Sequence, residues 1–278
     1  MSTAPYFPPL VLGISSRLYR MNDANATAAA EEFDNELHGQ VLRRDKFRCG
    51  GCGIVTVAGD APSGHGLEVH HIDFDHHNNE ISNLISLCPL CHGILHLGNA
   101  ARRPIGRTMR VVWLPWITQE ECNLLSWVLA VAIYRGSQNR DNPDNNETAD
   151  KAGNLAELLA QSINFPSDYI LGNSAAFEAF KKSILLPSES GQPSRTPPAA
   201  LLATLLGSIR SQDAKLYDLR QNWLGGLRIF FDPRKPELFV SSHDSPVALV
   251  PGMSASGPWL PGDAWADTWL KVSKQFDL

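Results

Sequence analysis

The 278-residue chain has no apolar run long enough to cross a bilayer. Its longest, residues 124–133, is already interrupted by Ser126, whereas a span needs about 20 apolar residues. It also lacks a basic excess. Lys and Arg number 24 against 29 Asp and Glu, a net charge of −5, which argues against a protein that coats nucleic acid through bulk positive charge. No charged stretch followed by an apolar segment opens the chain, so export is not expected. No internal repeat is present, which sets repeat architectures aside. Cysteine is scarce, five in all. Without an export signal, such cysteines point to a reducing compartment and to metal rather than disulfides. The expectation is a cytoplasmic protein with no membrane insertion. With 43% apolar residues, the chain is long enough for a real core and one to two domains.

What is present is concentrated. Four of the five cysteines form two pairs, Cys49-x2-Cys52 and Cys88-x2-Cys91, with 35 residues between them. Seven of the nine histidines lie between positions 65 and 96. Two such knuckles let four thiolates close a tetrahedron around one structural Zn²⁺. Residues 67–72, Leu-Glu-Val-His-His-Ile, alternate like a strand, so His70 and His71 face opposite sides of it. One can bind metal while the other takes a proton from water. Residues 89–97 read as a short helix on which His92 and His96 share a face at i,i+4. Cys91 sits about 100° round from His92 on that helix, so one helix can serve two metals. Asn83 ends the loop before the strand expected over 84–87. An amide there can hold one imidazole nitrogen and leave the other as base. His65, His76 and His77 read as solvated loop residues, and Cys122 as a small core residue.

The spacing His70-His71, twelve residues to Asn83, nine to His92 and four to His96 resembles the HNH (ββα-metal) nuclease motif, over roughly residues 46–98. That resemblance implies His71 as general base and Asn83 as the residue that orients it. It implies His70, His92 and His96 as ligands of a second divalent ion at the scissile phosphate. Histidine ligands suit Mn²⁺, Ni²⁺ or Zn²⁺ as well as Mg²⁺. Asp73 and Asp75 are near enough in sequence to support such a site. Residues 40–110 carry eight Lys or Arg against six Asp or Glu. Arg43, Arg44, Lys46 and Arg48 precede the first knuckle, and Arg102 and Arg103 follow the helix, as candidate contacts to the phosphates of DNA.

Residues 111–125, Val-Val-Trp-Leu-Pro-Trp-Ile-Thr-Gln-Glu-Glu-Cys-Asn-Leu-Leu, and the apolar run after them resemble the IcmJ/DotN family, components of the type IVB (Dot/Icm) secretion coupling complex. Arg17-Leu18-Tyr19, residues 41–49 and residues 78–84 extend the likeness. It implies an adaptor that binds a coupling ATPase and uses the HNH module as a scaffold. Two readings therefore stand: a metal-dependent endonuclease, attached or not to a secretion or conjugation machine, and a non-catalytic adaptor of a type IVB-like complex. Holding His70, His71, Asn83, His92 and His96 together departs from a purely structural module.

The expected fold class is α+β, a four-cysteine zinc ββα-metal module followed by a mainly helical region. The divisions are an N-terminal arm and helix (1–44), the zinc module (45–116), an apolar helix packed on or beside it (117–135), a polar linker (136–153) and a mainly helical remainder with Pro/Gly-rich breaks (154–278). Helices are expected over 27–44, 118–134, 154–163, 173–185, 199–223 and 263–276, and strands over 54–58, 67–72, 84–87 and 111–114. Thr118-x-x-Glu121 is a capping box. The helix after it is apolar nearly all round, as in a core. Trp265, Trp269 and Leu270 recur at helical spacing, a stripe for the core or for a partner groove.

Overall fold

The computed structural model describes residues 9–14, 35–55, 66–101, 103–138, 143–161, 198–239, 249, 250 and 274. Their architecture is α+β, helices arranged around two small antiparallel sheets. Helix α1 (Asn35–Arg44) leads into the first cysteine pair. Strand β1 (Glu68–His71) pairs with β2 (Leu84–Leu87), His70 opposite Ile85 and His71 opposite Leu84. Helix α2 (Pro89–Leu95) starts directly after β2. Pro89 occupies its first turn, where a missing N–H costs nothing. Cys88 caps it, the sulfur accepting from the Cys91 N–H at 3.5 Å.

The helix expected over 89–97 is broken. His96 leaves helical geometry at φ −126°, ψ 49°, and α3 (Leu97–Ala100) restarts beyond it. The cause lies far away in sequence: the Gly13 N–H donates to the Ile94 carbonyl at 2.9 Å, and the Gly13 carbonyl accepts from the Leu97 N–H at 3.0 Å. A segment without regular secondary structure, residues 9–14, thus replaces the next helical turn as hydrogen-bond partner. A Cβ at Gly13 would sit 3.2 Å from the Leu95 oxygen, so the close approach favours glycine.

The second sheet joins β3 (Met109–Trp113) to β4 (Leu227–Phe231), with Val111 opposite Ile229. Helix α4 (Gln119–Gln138) opens on the expected capping box. The Thr118 N–H donates to Glu121 Oε2 at 2.7 Å, and the Glu121 N–H donates to Thr118 Oγ1 at 3.2 Å. Its apolar run is core: Leu124, Leu125, Trp127, Leu129, Ala130 and Val131 are buried.

Residues 143–153, expected as part of a polar linker, are instead the first half of α5 (Pro143–Gln161). Ala152, Leu155, Ala156 and Leu159 form an i, i+3, i+4, i+7 stripe packed with Cys122, Leu125 and Leu129 of α4. Packing of that stripe outweighs the polar composition of the first turns. The single helix expected over 199–223 is three: α6 (Pro198–Gln212), α7 (Ala214–Asp218) and α8 (Arg220–Leu224). Asp213 makes the first break, extended at φ −146° and accepting from the Leu216 N–H at 3.0 Å, the competition with helix that Asp side chains offer. The helices expected over 173–185 and, apart from Lys274, over 263–276 lie outside the described residues, as do residues 56–58 of the expected strand.

No helix among the described residues is long and apolar enough to cross a membrane.

Candidate metal centres on two faces of helix α2

Cys49, Cys52, Cys88 and Cys91 converge, all buried, with their sulfurs within 4.8 Å of one another. Cys52 Sγ and Cys88 Sγ are 3.7 Å apart. A disulfide needs about 2 Å, whereas two sulfurs on one tetrahedral Zn²⁺, at bonds of roughly 2.3 Å, lie about 3.8 Å apart. All the described cysteines are free thiols. The four therefore could coordinate a structural metal such as zinc.

The electrostatics of the cluster agree with that use. Burial opposes ionisation of Cys49, but hydrogen bonds from Cys52, Cys88 and Cys91 and from the Cys88 backbone hold its thiol well below the ordinary range. Burial, together with Cys49 itself, pushes Cys52 and Cys91 well above it. The protein's own groups thus favour Cys49 as thiolate; a cation is the charge that lets Cys52 and Cys91 ionise beside it. Two side chains of α4 reach into the cluster. Asn123 Nδ2 donates to Cys91 Sγ at 3.3 Å, and Trp127 Nε1 donates to Cys88 Sγ at 3.4 Å. Both donors are fully buried, so α4 is built onto the centre. Cys122 stands apart, its thiol pushed up to about 12 by burial, as a core residue should be.

The histidines occupy the other side of α2. Ligand nitrogens of His70, His92 and His96 also lie within 4.8 Å of one another. His96 Nε2 faces His70 Nδ1 at 3.4 Å, and the His92 and His96 ring centroids are 4.7 Å apart. The break at His96 does not separate it from His92. Burial, then the neighbouring His92, pushes His70 and His96 well below the usual imidazole range. Neutral imidazoles with available lone pairs are what a metal site needs. Phe74, exposed and at φ 62°, stands edge-on to His70 at 4.9 Å.

His71 faces the opposite side of β1, as strand alternation requires, with its ring 4.9 Å from that of His76. The sequence points to Asn83 as its orienting amide, but the structure gives that contact to Asn79, whose Oδ1 is 2.9 Å from His71 Nε2. Asn83 is spent on the loop. Its Nδ2 donates to Asp73 Oδ1 at 2.8 Å and to the Asn78 carbonyl at 2.9 Å, and its Oδ1 accepts from the Asp73 N–H at 3.1 Å. The Asp75 N–H, then Asn83, holds the Asp73 carboxyl below the usual carboxylate range. Asn83 thereby fixes the turn that carries Asn79. An Asn-rich loop offers several amides at once, and nothing in their spacing separates the one that reaches the ring.

The basic candidates divide. Arg43, Lys46 and Arg48 are exposed near the first knuckle. Arg102 lies outside the described residues. Arg103 is half exposed, 3.9 Å from Glu68. Arg44 is turned inward at 7% side-chain exposure, paired with Asp45 at 2.7 Å and donating to the Ile81 and Leu84 carbonyls. Asp45 in turn accepts from the Ser86 N–H at 2.8 Å. This ion pair stitches the end of α1 to β2. Arg44→Ala should therefore cost about 3–5 kcal/mol, because it strands a buried carboxylate. Arg43→Ala should stay within about 0.5 kcal/mol. Denaturant melts of both variants check this; equal midpoints would return Arg44 to the surface.

No family model matches the chain, and no curated protein does either.

Proposed function

We propose that the chain is a metal-dependent endonuclease of the HNH type, with the four-cysteine centre as its structural zinc site and His70, His92 and His96 as ligands of a second divalent ion. The observation that carries this reading is the convergence of three imidazoles against one face of β1, while His71 takes the other face. Two of the three, His70 and His96, are held neutral by burial. A divalent ion bound there would supply charge neutralisation at the scissile phosphate and the leaving 3′-oxygen. An amide oxygen only accepts, so Asn79 Oδ1 fixes the proton on His71 Nε2 and leaves the lone pair on Nδ1. His71 Nδ1 takes the proton of water as its oxygen bonds to phosphorus, and the P–O3′ bond breaks, the leaving oxygen being protonated from solvent. Arg103 and the exposed Arg43, Lys46 and Arg48 are the phosphate contacts of the same reading.

A second reading rests on one observation: His71 is only 3% exposed. Such burial suits an adaptor of a type IVB-like coupling complex that keeps the module as a scaffold and binds a coupling ATPase. Plasmid cleavage with added Mg²⁺, Mn²⁺ or Ni²⁺ separates the two. The nuclease reading expects relaxed circles and linear DNA. His92→Ala should raise the ion concentration needed by at least about 10- to 100-fold, the loss typical of weakening a metal site. No cleavage by zinc-loaded protein under any of these ions would leave the adaptor.

A further inference from the structure

Resting on the reading of His70, His92 and His96 as a metal site, we infer that Glu68 is its positioning residue: it holds the His92 imidazole by Nδ1 so that Nε2 is the nitrogen that ligates. Glu68 and His70 are two residues apart on β1 and so project from the same face. Glu68 Oε2 meets His92 Nδ1, while His70 and His92 have ring centroids 5.3 Å apart. A carboxylate accepts only, so the ring nitrogen bound to it carries the proton and the tautomer is set.

The pair is placed to work. The Glu68 side chain is 9% exposed and that of His92 21% exposed, so the contact is shielded from competing water. Arg103 Nη1 lies 3.9 Å from the same Oε2, a positive charge beside the carboxylate. One carboxylate thereby links a ligand of the centre to the half-exposed cation at its rim. Core packing alone does not account for a Glu here, since its cross-strand partner is Leu87, and the partner of His70 on the same face is Ile85.

The test uses the full-length protein with its structural zinc retained, titrated with Co²⁺ and followed by calorimetry and visible absorption. Nitrogen-bound Co²⁺ absorbs in the visible without the sulfur charge-transfer bands of a thiolate site, so the two centres are read apart. Glu68→Ala should weaken Co²⁺ binding about 10- to 100-fold, with zinc content unchanged. Glu68→Gln, whose amide oxygen can still accept from Nδ1–H, should recover most of that loss. Glu68→Ala binding Co²⁺ as tightly as the parent, or Glu68→Gln as weakly as Glu68→Ala, overturns the orienting role. Should Glu68→Ala lose its zinc, the imidazole ¹⁵N spectrum of the unsubstituted protein decides. The expected result is a His92 proton on Nδ1 and metal on Nε2; the reverse assignment overturns the inference. No Co²⁺ uptake by the unsubstituted protein beyond the thiolate centre removes the metal site itself, and the inference with it. That outcome differs from a tight site indifferent to Glu68.

Discussion

Cys49→Ser or Cys91→Ser should abolish zinc retention and remove most of the folding free energy such a centre provides, on the order of 10 kcal/mol for a structural zinc site. The size of the effect follows from where the cluster sits. Its four sulfurs are part of one core with Leu87, Leu90, Ile94, Trp127 and the N-terminal residues Leu10, Leu12 and Ile14. Loss of the ion leaves sulfurs packed to 3.7 Å with no charge between them, and turns the acceptors of Asn123 and Trp127 from metal-bound thiolates into weaker thiols. Both donors are buried, so weaker acceptors there add to the cost. The readouts are elemental analysis for one zinc per chain, a thermal melt, and tryptophan emission during chelation, since Trp127 touches the centre directly. Well-folded, purified protein that contains no zinc would sink the assignment.

The same geometry explains what was legible in the sequence. Cys-x2-Cys pairs are local devices: the knuckle backbone sets each pair, and Cys88 both caps α2 and enters the cluster. The period of two on β1 was enough to send His70 and His71 to opposite faces, and the capping box at Thr118 formed as expected. Features fixed by distant contacts were not legible. Residues 9–14 break the α2 helix at His96 through Gly13, a pairing about 80 residues apart in sequence that no local pattern carries. Strand β4 was missed because residues 227–231, Leu-Arg-Ile-Phe-Phe, are a short apolar run next to an expected helix. Only pairing with β3 distinguishes it as a strand. That pairing also joins residues 109–113 to residues 227–231, across the divisions expected from sequence. β4 completes the sheet that carries Trp113, so a chain cut short of β4 exposes a strand edge that the full chain covers. Glu68 was passed over because a carboxylate beside histidines looks like an ordinary solvated strand residue until the fold brings His92 against it.

On the proposed endonuclease reading, His71→Ala should slow cleavage by at least about 10²-fold, the usual cost of removing a general base, with metal binding at either centre unchanged. The separation of roles is the argument. His71 lies across β1 from His70, its Nε2 held by Asn79, and it belongs to neither candidate ligand group. Zinc content and Co²⁺ affinity should therefore match the unsubstituted protein, whereas His92→Ala should change the second and not the first. Asn79→Ala gives the finer result. Without an acceptor at Nε2 the imidazole is freed to choose either tautomer, so activity should fall by less than in His71→Ala with metal affinity unchanged. Asn83→Ala should act more broadly, because it releases Asp73, Asn78 and the whole turn above His71. Its loss should appear in the thermal melt as well as in the rate. Relaxed-circle formation from supercoiled plasmid under saturating Mn²⁺ measures all three. Full-rate cleavage by His71→Ala with normal metal content would assign the activity to another group or to a contaminant. The buried position of His71 would then be that of a core histidine beneath a polar loop.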